Sequence, residues 1–325
     1  MSALLEIARE VYKIDLVRRV SRWMDAMAHP LLAIEIGFDR LAGARWTRDG
    51  RIADVVVEAL PPGSIVPSAV ELNIQDTEAV VSVLSKVCDR LHAKDEDIAL
   101  LLPDPVIRVF IQHFDEFPRS RQEALPMLRW KLKKTVPFAA DEMLVSYMRQ
   151  TSDEKGLDIV AALARQRIVR EYDALAESVN LRAGVVLTSS LAAVAILKDE
   201  RPTLMARISD AVLTAVMVRE GVLCGYRCTE LPVKVEALTP AMLLDEIYPV
   251  AAYYQDTWHE DFQSVKVAGL GKRTSEFIAP LASEFHCDVQ PLLLSGLLEG
   301  VIPDFARPLV DQGLDGLVGW MKNHE

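Results

Sequence analysis

One supersecondary pattern occurs twice in this chain, and it limits the folds available more than any other feature. The stretch LLAIEIGFDRLAGARW, residues 31–46, runs from an apolar strand through a glycine turn into a second strand. The turn Arg48-Asp49-Gly50 then leads into a third. The pattern predicts strands at 31–36, 40–47 and 51–59, with Gly50 supplying the positive φ of a hairpin turn. Residues 204–208, 212–219 and 222–229 repeat the scheme, with Arg219-Glu220-Gly221 as the second turn. Aligning Gly221 on Gly50 sets Asp210 against Asp39 and Met217 against Trp46. Little side-chain identity survives, but the order of strand, turn, strand, acid-Gly turn and strand is the same. A repeated unit of this kind predicts a duplicated, two-lobed α/β protein.

Size agrees with two lobes. At 325 residues the chain exceeds what one small core accommodates, and 50% hydrophobic with 26% charged residues is a globular balance. The net charge of −11 argues against a general nucleic-acid binder, because phosphate contacts need a basic surface. No apolar run reaches the roughly 18 residues of a membrane span. Glu6, Glu10 and Asp15 are unlike a secretory signal, so a cytoplasmic protein is expected. The four cysteines fit that expectation. Cys224 and Cys228 share a strand face but stand about 13 Å apart, too far for a disulfide. His286-Cys287 has no second pair at zinc spacing.

Between and around the two meanders the chain alternates helices and strands. Residues 3–28 read as one amphipathic helix, with Leu4, Ile7, Val11, Ile14 and Val17 on a stripe and Arg18, Arg19 and Arg22 on a basic face. Pro30 ends it. A helix is expected at 76–93, then a fully apolar strand in IALLLPD. Residues 105–165 have no counterpart in the second meander and read as a small α+β insert. Ser120-x-x-Glu123 opens its helix with a capping-box signature, and strands at 143–150 and 157–164 follow. Pro126 predicts a kink or a later helix start. After the second meander come a helix at 239–257, a strand, a glycine turn at Gly269 and Gly271, and another helix. The expected organisation is an N-terminal helix (1–30), a first lobe (31–104 and 166–200), an insert (105–165) and a second lobe (201–325).

In order and spacing these segments resemble the PilM family, actin-like proteins of type IV pilus assembly that are themselves similar to the cell-division protein FtsA. The resemblance covers residues 31 to 325. It is carried by LNIQD after PPGSIVPS, by LLLPDPVIRVFI, by LRWKLKKTVPFAADEMLVSY and by REYDALAESVNLRAGVVLTSSLAA. It implies the actin-like ATPase fold, with two lobes of duplicated βββαβα units and a small α+β insert in the first lobe. It also implies a partner: the short cytoplasmic N-terminal tail of an inner-membrane PilN-type protein, held between the first lobe and its insert. The protein would then lie at the inner face of the cytoplasmic membrane through that partner, with a further peripheral contact open to the N-terminal helix.

The same fold places ATP between the lobes, so Glu35, Gly37, Asp210, Gly269 and Gly271 are the positions to examine. A phosphate cradle needs inward backbone N–H groups and no side chain in the way. Here Phe38 follows Gly37, no glycine occurs from Val185 to Glu220, and Leu270 separates Gly269 from Gly271. The expectation is a degenerate nucleotide site without turnover and no cofactor, with ATP and Mg²⁺ left open as ligands. For the partner, the insert's cations Arg129 and Lys133 and its Pro137-Phe138 break are the candidate residues, with Phe138 as a buried anchor or groove wall. The leading expectation is therefore a scaffold of pilus or type II secretion-like assembly. The alternatives are an ATP-binding switch of the same fold and a sugar-kinase-like enzyme. The latter needs an aspartate base and glycine-rich loops that the sequence does not present.

Overall fold

The computed structural model describes residues 29–150, 156–197, 201–293 and 304–322. The helix expected over 3–28 lies outside the described residues. Each meander forms half of a five-stranded sheet. In the first, β1 (Leu32–Ile36), β2 (Arg40–Trp46) and β3 (Ile52–Ala59) are antiparallel, and β4 (Asp97–Leu102) and β8 (Arg182–Thr188) extend the sheet in parallel in the order β3-β2-β1-β4-β8. In the second, β9 (Thr203–Ser209), β10 (Val212–Arg219) and β11 (Val222–Glu230) are joined by β12 (Ser264–Ala268) and β13 (Asp288–Pro291) in the order β11-β10-β9-β12-β13. The two orders are identical once β9 is set on β1. Even the irregularity recurs: the pairing slips between Arg45 and Trp46 in one meander and between Met217 and Val218 in the other. The fold is thus actin-like, as the repeated pattern predicts.

Strand burial explains the apolar runs. All five residues of β1 are buried, as are the first six of β9, because helices cover both faces near the middle of each sheet. Helix α1 (Thr77–Arg90) turns Val80, Val83, Leu84, Val87 and Cys88 onto the first sheet, and Asp76 caps it by accepting from the Ala79 N–H. On the second sheet, α5 (Pro240–Trp258) buries Leu243, Ile247, Val250 and Tyr254.

The insert is a three-stranded antiparallel sheet, order β5-β7-β6, from β5 (Arg108–Phe114), β6 (Met143–Arg149) and β7 (Leu157–Arg165). Helix α2 (Arg121–Leu132) covers one face of it. Ser120 caps α2 by accepting from the Glu123 N–H, and the helix runs through Pro126 without a later start. Pro126 is exposed, so water can serve the carbonyl that its missing N–H leaves free. Alternation splits the sheet residues. Met143, Val145, Ile159, Ala161 and Leu163 pack under α2, whereas Met148, Val160 and Ala164 join the core of the first lobe.

Helices α3 (Gln166–Ser178) and α4 (Ser189–Ala193) return the chain to the first lobe, and α6 (Thr274–Phe285) completes the second. The C-terminus departs from the expected organisation, in which everything after 201 belongs to the second lobe. After α7 (Pro308–Asp311), α8 (Asp315–Lys322) packs against α4 and touches β1. Leu309, Leu317, Val318 and Trp320 lie in the first lobe's core. The approach depends on small residues. A Cβ on Gly319 would stand 2.1 Å from the Ala192 carbonyl oxygen, and one on Gly316 would stand 2.9 Å from Glu35 Oε2.

Candidate functional site: a charge cluster between the lobes and an apolar cleft at the insert

The first strands of the two lobes meet at a buried ion cluster. Glu35 projects from β1 and Arg207 from the corresponding strand β9, and Arg207 Nη2 donates to Glu35 Oε1 at 2.9 Å. Arg207 Nη1 lies 3.3 Å from Asp104 Oδ2, just after β4, and Arg207 Nε lies 2.5 Å from Asp315 Oδ2 at the start of α8. All four side chains are buried. A planar guanidinium with five fixed N–H groups can meet several carboxylates at once, which a lysine ammonium cannot do with the same geometry.

Asp104 also ties the lobes together through uncharged partners. It accepts from the Ser190 N–H at 3.1 Å and the Ser190 hydroxyl at 2.7 Å within the first lobe. From the second lobe it accepts from the Thr214 hydroxyl at 3.0 Å and the Tyr226 hydroxyl at 2.8 Å. Burial, with Asp104 beside it, holds the Tyr226 phenol well above its ordinary range.

The charges do not balance inside the cluster. One cation faces three carboxyl groups, and Glu35 Oε2 and Asp315 Oδ1 have no hydrogen-bond partner among the described residues. Burial pushes the Glu35 carboxyl upward, Arg207 opposes this, and the Asp315 charge adds to the rise. Burial alone would lower Arg207, but the Asp315, Glu35 and Asp104 charges outweigh it and hold the guanidinium firmly protonated. Desolvating these charges is expensive, and removing one partner costs more still, because it leaves an uncompensated buried charge.

Of the five positions singled out for a nucleotide, three line a cavity between the lobes, while Glu35 is buried in the ion cluster and Gly37 is absent from the cavity wall. Asp210, Gly269 and Gly271 line an inter-lobe cavity of about 320 Å³, together with Phe38, Asp39 and Arg40 of the Gly37 turn. A second cavity of about 650 Å³ shares Gly269, Gly271 and Gly313 with it. The details differ from a phosphate cradle. The Gly37 N–H is spent on the Arg40 carbonyl at 2.8 Å. Gly269, at φ +81°, is required by packing, since a Cβ there would lie 1.7 Å from the Ile208 carbonyl oxygen. Three nearby cations are committed, Arg207 to its three carboxylates, Arg40 to the Gln312 carbonyl at 2.9 Å, and Lys234 to Asp210 at 3.1 Å, whereas Lys272 lines the second cavity without an ion pair among the described residues. Asp39, Asp210, Glu236 and Asp311 bring carboxylates to the cavity wall. Among the described residues no group of His, Cys, Asp or Glu side chains is arranged to hold a metal ion.

Sequence reasoning missed Arg207, Asp104 and Asp315. The first had a visible signal, as the lone cation in an otherwise apolar strand, TLMARIS. Asp104 also had one, as an acid directly behind a fully apolar run.

The candidate partner residues fall on the other side of the insert. Arg129, Lys133 and Pro137 are exposed at and just beyond α2. Phe138 is only 9% exposed and packs in the insert's own core with Phe114, Leu128 and Val145, which corrects the expectation of a groove wall. The chain enters the insert core there because Val136 and Phe138 alternate inward around Pro137. An apolar cleft opens instead on the opposite sheet face, with a pocket of about 50 Å³. Ser146 and Met148 of β6, Val160 of β7 and Leu191 of α4 line it, with Leu223 from the second lobe. Gln150 fixes that corner. Its amide donates to the Leu223 carbonyl and accepts from the Leu223 N–H, both at 2.8 Å. Strand β6 borders the cleft and, among the described residues, has a neighbour, β7, on one side only. Leu144 on β6 alternates with Val145 and so faces the same side as Ser146 and Met148, 37% exposed.

No known protein family matches the sequence, and no curated protein matches it either. Solved structures do match. The PilM–PilN type IV pilus biogenesis complex aligns over 92% of this chain and 99% of its own, with a TM-score of 0.71 at 14% identity. The cytoplasmic domain of EpsL, an inner-membrane component of the type II secretion system of Vibrio cholerae, aligns over 73% of this chain and 81% of its own, at 10% identity and a TM-score of 0.46. The ethanolamine utilization protein EutJ from Carboxydothermus hydrogenoformans aligns over 94% and 98%, at 10% identity and 0.47. Scores below 0.5 carry no argument. The first alignment agrees with the resemblance read from the sequence, and at 14% identity it is a likeness of fold: the chain has the actin-like fold in the arrangement seen in that pilus complex.

Proposed function

We propose that this protein is an assembly scaffold of a pilus or related secretion machine, which takes the extended cytoplasmic N-terminal segment of a PilN-type inner-membrane protein in the cleft between insert and lobes. The observation that carries the proposal is the apolar cleft bordered by the one-sided strand β6. Strand addition supplies main-chain hydrogen bonds along such an edge, and pockets for alternate side chains supply specificity. The fold likeness to a structure solved with PilN supports the choice of partner. In this reading the inter-lobe cavity is not an ATPase site, because its central cation belongs to the protein and its wall is acidic.

The test is titration of the chain with a synthetic peptide of that N-terminal segment. Leu144→Glu places a charge on the exposed part of the cleft-facing side of β6 without disturbing a core. It should weaken binding by more than about tenfold, since burying an unpaired carboxylate costs well over 1.4 kcal/mol. Undiminished affinity in a folded Leu144→Glu variant contradicts the proposal. A second reading, an ATP-binding switch, has one observation in its favour: two adjoining inter-lobe cavities that share Gly269 and Gly271.

A further inference from the structure

Residues 119–134 stand apart electrostatically. They hold six cations (Arg119, Arg121, Arg129, Lys131, Lys133 and Lys134) and one carboxylate, Glu123, in a chain whose net charge is −11. Lys131 is engaged, donating to the His113 carbonyl and lying 3.8 Å from the centre of the Phe114 ring. The other five cations make no ion pair with any described carboxylate. In the middle of this stretch Trp130 is 71% exposed, the most exposed large apolar side chain among the described residues. Lys133, one turn on, lies over its ring at 5.9 Å.

Helical spacing gathers these groups. Pro126, Arg129, Trp130 and Lys133 fall on the outward side of α2, away from the buried stripe of Ala124, Leu128 and Leu132. This face lines none of the clefts described above. Charge alone would suit an acidic peptide as well; the exposed Trp130 at the centre of the cations is what favours a bilayer. A flat anionic surface needs only cations and an amphipathic aromatic that can enter the headgroup layer, and both are here.

We propose that the outer face of α2 is a docking surface for an anionic lipid bilayer. Trp130 enters the headgroup region, and Arg129 and Lys133, with Lys134 just beyond the helix, sit above anionic headgroups. The proposal does not depend on the partner cleft, which lies on the other face of the insert sheet. It gives the insert an orientation, with α2 toward the membrane and the cleft behind it.

Co-sedimentation of the full chain with vesicles tests this. The wild type should bind phosphatidylcholine vesicles containing phosphatidylglycerol and leave pure phosphatidylcholine vesicles unbound. Each cation near the surface is worth roughly a fivefold gain in affinity, so Lys133→Glu/Lys134→Glu should lose more than about tenfold. Trp130→Ala should lose affinity at every salt concentration, whereas added salt should weaken the wild type through screening. Both variants alter exposed residues, and an unchanged thermal midpoint confirms that they are folded. Arg18→Glu/Arg22→Glu controls for the other basic stretch. The proposal is overturned by no binding of the wild type to phosphatidylglycerol vesicles. It is equally overturned by binding that survives the α2 variants, including binding that only the Arg18→Glu/Arg22→Glu variant removes. Capture of polyglutamate that depends on Lys133 and Lys134, without vesicle binding, identifies an acidic-protein surface instead and also overturns it.

Discussion

Arg207 Nη2 stands 2.9 Å from Glu35 Oε1 and so joins the first strands of the two lobes, 172 residues apart in the chain. The two residues occupy nearly the same place in the duplicated meander, one position out of register when Gly50 is set on Gly221. Duplication therefore brings them face to face across the cleft, and opposite charges turn that juxtaposition into a bond between lobes. Asp104 and Asp315 complete it from the end of β4 and from the C-terminal helix.

Removing the cation should expose how much depends on it. Arg207→Ala leaves Glu35, Asp104 and Asp315 buried together without a counter-charge. Breaking a buried pair this way costs about 3–5 kcal/mol. At about 2–4 °C per kcal/mol for domains of about 150–250 residues, the thermal midpoint should fall by roughly 10 °C. Arg207→Lys keeps the charge but not the fork, and should fall between the two.

Glu35 should respond to pH in the opposite sense to a salt-bridged surface acid. Burial raises its folded-state value above the ordinary 4.5. Its contribution to stability is therefore fully present below about pH 4.5 and is lost as pH rises from there toward the folded-state value. Glu35→Gln mimics the protonated carboxyl and keeps an acceptor for Arg207. Denaturant titrations should find the variant close to wild type at pH 4 and no less stable at pH 7. A loss of more than about 1 kcal/mol at pH 7 would mean that Glu35 is held ionised by Arg207.

The glycines of the loop after β12 separate packing from phosphate binding. Gly269→Ala drives a methyl group into the Ile208 backbone at a positive φ, so destabilisation well beyond the cost of the dihedral is expected. Gly271→Ala, at φ +54° with nothing within 4 Å, should cost only about 1 kcal/mol. Thermal melts of the two variants distinguish these cases. Equal, small effects would remove the packing account of Gly269.

The parts of this molecule that were legible in the sequence are those that local pattern controls. Alternation and the Asp49-Gly50 and Glu220-Gly221 turns marked both meanders, and matching sheet orders followed from the repeat. Long-range return was not legible. Nothing in DGLVGWMK says that Gly316 and Gly319 let α8 cross back onto α4, because the partner surface lies more than a hundred residues away. The charge cluster was half legible. Glu35 stands out as an acid in an apolar strand, while Arg207, its partner in the corresponding strand, is overshadowed by Asp210 of the neighbouring turn. Phe138 shows the limit of composition. A Pro-Phe break near cations looks like a surface motif, yet the helix it follows leaves room beneath it, and the ring fills the insert core.

The proposed function requires that the cation between the lobes be the protein's own, that the inter-lobe cleft be a structural joint, and that the protein work without nucleotide. Isothermal titration calorimetry of the full chain with ATP and Mg²⁺ tests this most directly. The account predicts no saturable heat and no phosphate release. A dissociation constant in the micromolar range that Glu35→Ala abolishes in a folded variant would contradict it.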